Sequence, residues 1–150
     1  NFEDAMDGDN NFRFTGTTGF YYLEVNTVAK TITLNDPQPT GNCDLDQLWA
    51  VGAGLPDAGW GWTTPIQFLC TGEGIYSGTA NLLNAETFRF FTAEGDWATG
   101  QNYPYFIGEG YTIDANFEDA LDGDNNFRFT GTTGSYAFTI DTVGKVISIQ

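Results

Sequence analysis

The residues whose types and spacing best suit them to chemistry are aromatic. Trp60 and Trp62 stand in Gly59-Trp60-Gly61-Trp62, and Trp97 follows Asp96 shortly before Asn102-Tyr103-Pro104-Tyr105-Phe106. Three of the four tryptophans thus lie in segments dense in Gly, Pro and Thr, where large surface rings are costly unless they meet a partner. A sugar has an apolar C–H face and a rim of hydroxyls, so flat aromatics beside amide, carboxylate or guanidinium groups form a natural receptor for it. Trp60, Trp62 and Trp97 are the candidate stacking rings, and Arg89, Asn102, Tyr103 and Tyr105 the candidate partners around them. In extended backbone, Trp60 and Trp62 aim to the same side. The competing reading is that these tryptophans fold back and plug the ends of a β-sandwich. Trp49, between Leu48 and Val51, reads as core or sheet surface. Arg89 stands between inward-pointing Phe88 and Phe90 and so points outward, where its plainer role is an exposed ion pair with one of many acids.

Other chemistries find little support. The chain has no His, no cysteine beside a plausible base and no serine in a nucleophile-elbow setting. Paired carboxylates are the remaining catalytic option, drawn from Glu73, Glu94, Asp96, Glu109, Glu118 and Asp119. With 20 acidic residues such pairs arise by chance, so the chain reads as a non-enzyme. Asp122-Gly123-Asp124-Asn125-Asn126, copied from Asp7 to Asn11, resembles the opening of a calcium loop and makes Asp122, Asp124 and Asn126 candidate ligands, with Glu118 or Asp119 to assist. Phe127 stands where the glycine of such a loop belongs, and Gly134 falls near the place of its closing glutamate. The favoured alternative is a polar turn leading into Phe127-Arg128-Phe129. No cofactor is required on this reading, and calcium is optional.

Charge narrows the partners. The formal net charge is -15, with Arg13, Lys30, Arg89, Arg128 and Lys145 the only basic residues. Nucleic acids, anionic membranes and acidic glycans need clustered Lys and Arg, which this chain lacks; a neutral ligand, a cation, or simple solubility fits better. No stretch approaches the roughly 20 apolar residues of a membrane helix, and the first residues form no signal region. Cys43 and Cys70 form an even pair, which a secreted setting would oxidise to a disulfide; two buried free thiols are the alternative.

The elements that must position these residues are strands. With 13 Phe, 7 Tyr, 4 Trp and 19 Gly, the composition suits many short strands joined by turns. Alternation predicts strands at 47–51, 66–71, 74–82, 87–92, 126–130, 135–141 and 145–149, with no sustained helical period. Tyr136, Phe138, Ile140, Ile147 and Ile149 point one way, and Tyr21, Leu23, Val25, Ile32 and Leu34 repeat the pattern. About seven antiparallel strands, each with one wet face, imply an all-β, immunoglobulin-like β-sandwich.

An internal repeat organises the chain. NFEDAMDGDNNFRFTGTTGFYYLEVNTVAKTITL, from Asn1, recurs as NFEDALDGDNNFRFTGTTGSYAFTIDTVGKVISI from Asn116, a spacing of 116 − 1 = 115 residues. Residues 1–34 therefore read as the closing strands of a preceding repeat, 35–42, with two prolines and a glycine, as a linker, and 43–150 as one complete sandwich.

The segments LWAVGAGLPDAGWGW, GIYSGTANLLNAETFRFFTAEGDWA and NFRFTGTTGSYAFTIDTVGKVISI resemble the repeated domains of the SusE and SusF outer-membrane lipoproteins of Bacteroidetes. The resemblance spans most of 48–149, and the first 34 residues match its closing strands. It implies non-catalytic β-sandwiches displayed on the bacterial outer membrane beside a glycan importer, several of them binding starch. Trp60, Trp62 and Trp97 would then lie in or beside a sugar platform, with Arg89 and nearby Asn or Asp residues as hydrogen-bonding partners. The implied function is binding of a neutral polysaccharide, starch-like or another glucan, by stacking, with neighbouring repeats raising a weak single-site affinity. A structural spacer repeat of an extracellular adhesin, stalk or filament is the alternative.

Overall fold

A computed structural model describes residues 2–6, 8, 9, 11–15, 21–35 and 39–150. Asp7 of the first acidic motif and residues 36–38 of the expected linker lie outside them. The chain divides into two units, Asn1–Gln38 and Pro39–Gln150. The second unit starts at Pro39 rather than at Cys43, because the end of the expected linker is already bonded into it: Thr40 and Gly41 donate their N–H groups to the Cys70 carbonyl and Asn42 donates to that of Gly72.

In the first unit β1 (Phe2–Asp4) pairs with β2 (Phe12–Phe14), and β3 (Tyr22–Asn26) with β4 (Thr31–Asn35), both antiparallel. The second unit is an antiparallel sandwich built from β5 (Gln47–Val51), β6 (Ile66–Gly72), β7 (Ile75–Leu82), β8 (Thr87–Phe91), β9 (Gly100–Gln101), α1 (Tyr103–Gly108), β10 (Thr112–Ile113), β11 (Phe117–Asp119), β12 (Phe127–Phe129), β13 (Gly134–Asp141) and β14 (Val146–Ile149). All-β architecture follows from the alternation: Leu48 and Ala50, Phe68 and Cys70, Phe88 and Phe90, Phe127 and Phe129, Phe138 and Ile140, and Ile147 are buried on one face, and each large apolar side chain so buried contributes about 1.5–3 kcal/mol.

The layers differ in one respect from two separate sheets. Hydrogen bonding runs without a break in the order β10-β14-β13-β7-β6-β5-β8-β12-β11, with β9 beside β8. A single sheet folds over, as its twist and the apolar face demand, and its halves meet through phenylalanine rings. Phe138 on β13 lies 5.1 Å from Phe68, 5.9 Å from Phe117 and 6.3 Å from Phe88 between ring centroids. Only β10, parallel to β14, departs from antiparallel pairing among the paired strands described.

Cys43 and Cys70 form a disulfide with their Cα atoms 6.0 Å apart, fastening the start of the unit to β6. The segment 102–106, outside the expected strands, runs into α1, a helix too short to show a 3.6-residue period. Its start was marked all the same: Asn102 caps it, Oδ1 accepting from the Tyr105 N–H at 3.1 Å, with Pro104 in the first turn. Phe106 is buried against Phe90 and Phe127.

Candidate functional site

Trp60, Trp62 and Trp97 meet on the outer face of β8. Along that strand Phe88 and Phe90 enter the core, so Thr87, Arg89 and Phe91 face the other way. Phe91 is an apolar ring on an outward position and must be covered; the tryptophans cover it. Trp62 stands edge-on to Phe91 at 4.9 Å, Trp97 lies 5.5 Å from Phe91 and 5.2 Å from Trp62, and Trp60 lies beside Trp97 at 6.4 Å with their planes tilted by 36°. Trp62 and Phe91 form the base, while Trp60 and Trp97 remain 46% and 51% exposed. Phe91 was the member sequence reasoning missed, although its outward register beside Arg89 was the signal for it.

Backbone geometry fixes the two loops that carry these rings. The first is pinned by buried Leu55 and closed where Gly52 donates to the Gly59 carbonyl at 2.7 Å and Gly54 to that of Thr87 at 2.8 Å. Gly59 takes φ +61°, turning the chain into Trp60. The second loop makes a 3-10 turn at Trp97–Thr99, capped by Asp96, whose Oδ1 accepts from the Ala98 N–H at 2.9 Å. It returns to β8 through Gly100, where an added Cβ would sit 2.9 Å from Arg89 Cδ and 3.1 Å from Phe91 Cε1. Gly100→Ala is therefore expected to cost about 1 kcal/mol, the low end for overpacking because the Arg89 stem can shift. Urea unfolding checks it; an unchanged midpoint would mean the Phe91 base gives way without strain.

Arg89, Asn102 and Tyr103 are bonded to the acidic motif at 122–126. Arg89 is only 20% exposed in its side chain, and its guanidinium turns into the acidic motif: Nε donates to Asn126 Oδ1 at 2.8 Å and NH2 to the Asp124 carbonyl at 2.7 Å, with the Asp124 carboxylate at 3.9 Å. Asn102 Nδ2 donates to that same carbonyl at 3.0 Å, and the Tyr103 N–H to the Asn125 carbonyl at 3.1 Å. The Tyr103 ring packs 5.2 Å from Phe127. Tyr105 stands apart from the tryptophans, in a separate depression of about 560 Å³ lined also by Cys43, Tyr76, Tyr111 and Lys145.

In the polar turn at 122–126 the Asp122 carboxylate and the Asn126 side-chain oxygen already hold protein donors. Asp122 Oδ1 accepts from the Asp124 and Asn126 N–H groups at 3.2 and 3.3 Å, and Oδ2 from Asn126 Nδ2 at 2.8 Å. Asn126 is buried and Arg89 takes its remaining oxygen, so a guanidinium supplies the positive charge here. Among the described residues no group of three or more His, Cys, Asp or Glu is arranged to hold a metal ion. Burial pushes the Asp122 carboxyl up, but the hydrogen bonds from the Asn126 side chain and from the Asn126 and Asp124 backbones outweigh it and hold the group below its ordinary value. A depressed carboxyl stabilises the fold above the unfolded value near pH 4 and loses that contribution as pH falls through the folded value. The gap in Tm between the natural chain and Asp122→Asn should thus narrow from pH 6 to pH 3; a constant gap would show that the carboxylate charge plays no part in the turn.

Among the described residues one buried side-chain donor is left without an acceptor: the indole N–H of Trp62 has no hydrogen-bond partner. Such a group costs about 1–3 kcal/mol when buried, and it belongs to the ring that packs against Phe91 and Trp97. No family model, no curated protein and no solved structure matches this chain, so the reading of the site rests on its own geometry.

Proposed function

We propose that the second unit is a non-catalytic module that binds a neutral polysaccharide by stacking sugar rings on Trp60 and Trp97. The observation that carries this is the exposure of two adjacent indoles on a built aromatic base, an arrangement that a plug made only for stability would bury. Their 36° tilt suits consecutive residues of a curved chain such as a starch-like glucan, each sugar meeting one ring. Asp96 and Glu94 lie exposed on the same loop and offer acceptors to hydroxyls. The charge of -15 repels acidic glycans and nucleic acids. The Cys43–Cys70 disulfide fits an oxidising, extracellular setting, and with the resemblance to SusE and SusF it points to the bacterial outer-membrane surface. This reading requires no calcium, and the donors that Arg89 and the backbone give to Asn126 and Asp122 support it.

The test is affinity electrophoresis of the full chain in gels containing soluble starch, other neutral glucans or an acidic glycan, with calcium or with a chelator. Retardation by a neutral polymer alone, unchanged by chelation, is the expected result. Equal migration in every gel would remove the proposal in favour of a structural spacer repeat, the reading supported by the exposed hairpins of the first unit.

A further inference from the structure

The first unit repeats the last four strands of the second in structure as well as in sequence. Phe2 pairs with Phe14 and Asp4 with Phe12 as Phe117 pairs with Phe129 and Asp119 with Phe127. Val25 pairs with Ile32 and Leu23 with Leu34 as Ile140 pairs with Ile147 and Phe138 with Ile149. The turns agree: Met6 and Leu121 take φ 57° and 51°, Lys30 and Lys145 take 58° and 55°. So do the polar contacts, with Arg13 on Glu3 at 3.5 Å and Arg128 on Glu118 at 3.4 Å, each arginine also donating to the carbonyl of Ala5 or Ala120.

Burial is what differs. Phe12 is 69% exposed where Phe127 is 0%, and Val25 is 57% exposed where Ile140 is 0%. Phe2, Phe14, Leu23 and Ile32 are likewise exposed where Phe117, Phe129, Phe138 and Ile147 are buried. In the second unit those side chains are covered by Leu48, Phe68, Phe88 and Phe90 from residues 39–115. The first unit presents the same apolar surface with nothing equivalent over it among the described residues, and two-stranded hairpins alone are marginal in water.

We infer that this face is an interface for an open β-sandwich of the kind formed by residues 39–115, one that lacks its own closing strands. The matching register and turns specify the occupant's chemistry: a curled antiparallel sheet lined by aromatic and aliphatic side chains. A second intact copy of this chain is not that occupant, because its seat is filled by its own strands β11–β14, which are covalently tethered to it and outcompete strands from another molecule through their high effective concentration. The inference stands independently of glycan binding.

The experiment places a copy of residues 39–115 directly before Asn1 of the full chain and follows amide hydrogen exchange by mass spectrometry. Peptides from β3–β4 and β13–β14 are distinguishable because their sequences differ. In the chain without the addition, β3–β4 amides should exchange fast; in the fusion they should slow on the order of 100-fold or more, approaching those of β13–β14. Phe12→Asp with Val25→Asp in the fusion should restore fast exchange in β3–β4 alone, and β13–β14 report that the second unit stays folded. Fast β3–β4 exchange in the fusion while β13–β14 stay protected would overturn the inference. So would concentration-dependent dimerisation of the chain without the addition that protects β3–β4, since a second copy would then be the occupant.

Discussion

Removing the disulfide with Cys43→Ala and Cys70→Ala together should lower the stability of the second unit by about 3.5 kcal/mol, the chain-entropy value for a loop of this length. The two residues are 27 apart in sequence. Inside that loop lie β5 and the whole segment bearing Trp60 and Trp62, so the cross-link restricts in the unfolded chain the part that must travel furthest to reach β8. In the folded state the start of the unit is otherwise held to β6 by the backbone bonds of Thr40, Gly41 and Asn42 and by the Cys70 N–H to the Asp46 carbonyl at 2.9 Å. Urea unfolding followed by tryptophan fluorescence gives the difference directly, and a melting temperature lower by roughly 10–20 °C should accompany it. A loss below about 1 kcal/mol would mean that the unfolded chain is already held compact across this loop, which the entropic account does not contain. The same number bears on location, because a chain made in a reducing compartment would forgo this contribution.

How far the sequence reached depends on the length over which each signal acts. Strands β5 to β8 and β13 to β14 are long enough for alternation, and their observed bounds fall within a residue or so of the expected ones. The strands β9, β10 and β11 have two or three residues and α1 six, too few for any period to register. Convergence of the tryptophans was legible only as proximity in composition. What brings Trp62 to Trp97 is the antiparallel pairing of β5 with β8, which sets Trp49 opposite Phe91 and Val51 opposite Arg89; no local pattern encodes a partner so distant. Arg89 shows the opposite limit. Its outward direction could be read from Phe88 and Phe90, but its engagement depends on Asp124 and Asn126, which arrive on β8 through the pairing of Phe127 with Phe88. Outward therefore meant toward a polar turn and not toward solvent.

Trp97→Ala and Trp60→Ala should each weaken retention by the retarding polysaccharide by about 2 kcal/mol, roughly 30-fold, as expected for an aromatic that carries a binding hot spot. The two variants differ in what else they remove, and that difference separates binding from folding. Trp60 is paired only with Trp97 among the described ring contacts and is nearly half exposed, so Trp60→Ala should leave the urea midpoint within about 0.5 kcal/mol of the natural chain. Trp97 also touches Trp62 and Phe91, so its loss should reduce stability as well as binding. Trp62→Ala uncovers Phe91 and should be the most destabilising of the three while affecting the sugar only through the tilt of its neighbours. Binding lost in Trp60→Ala at unchanged stability identifies the exposed indole face as the contact. Binding lost only in step with stability across the series would instead make the cluster a cap on Phe91, and the sugar, if it binds, would have to do so elsewhere. Trp49→Ala supplies the control, since Trp49 lies on the same outer face opposite Phe91 but outside the stacked group, and its removal should leave retention unchanged.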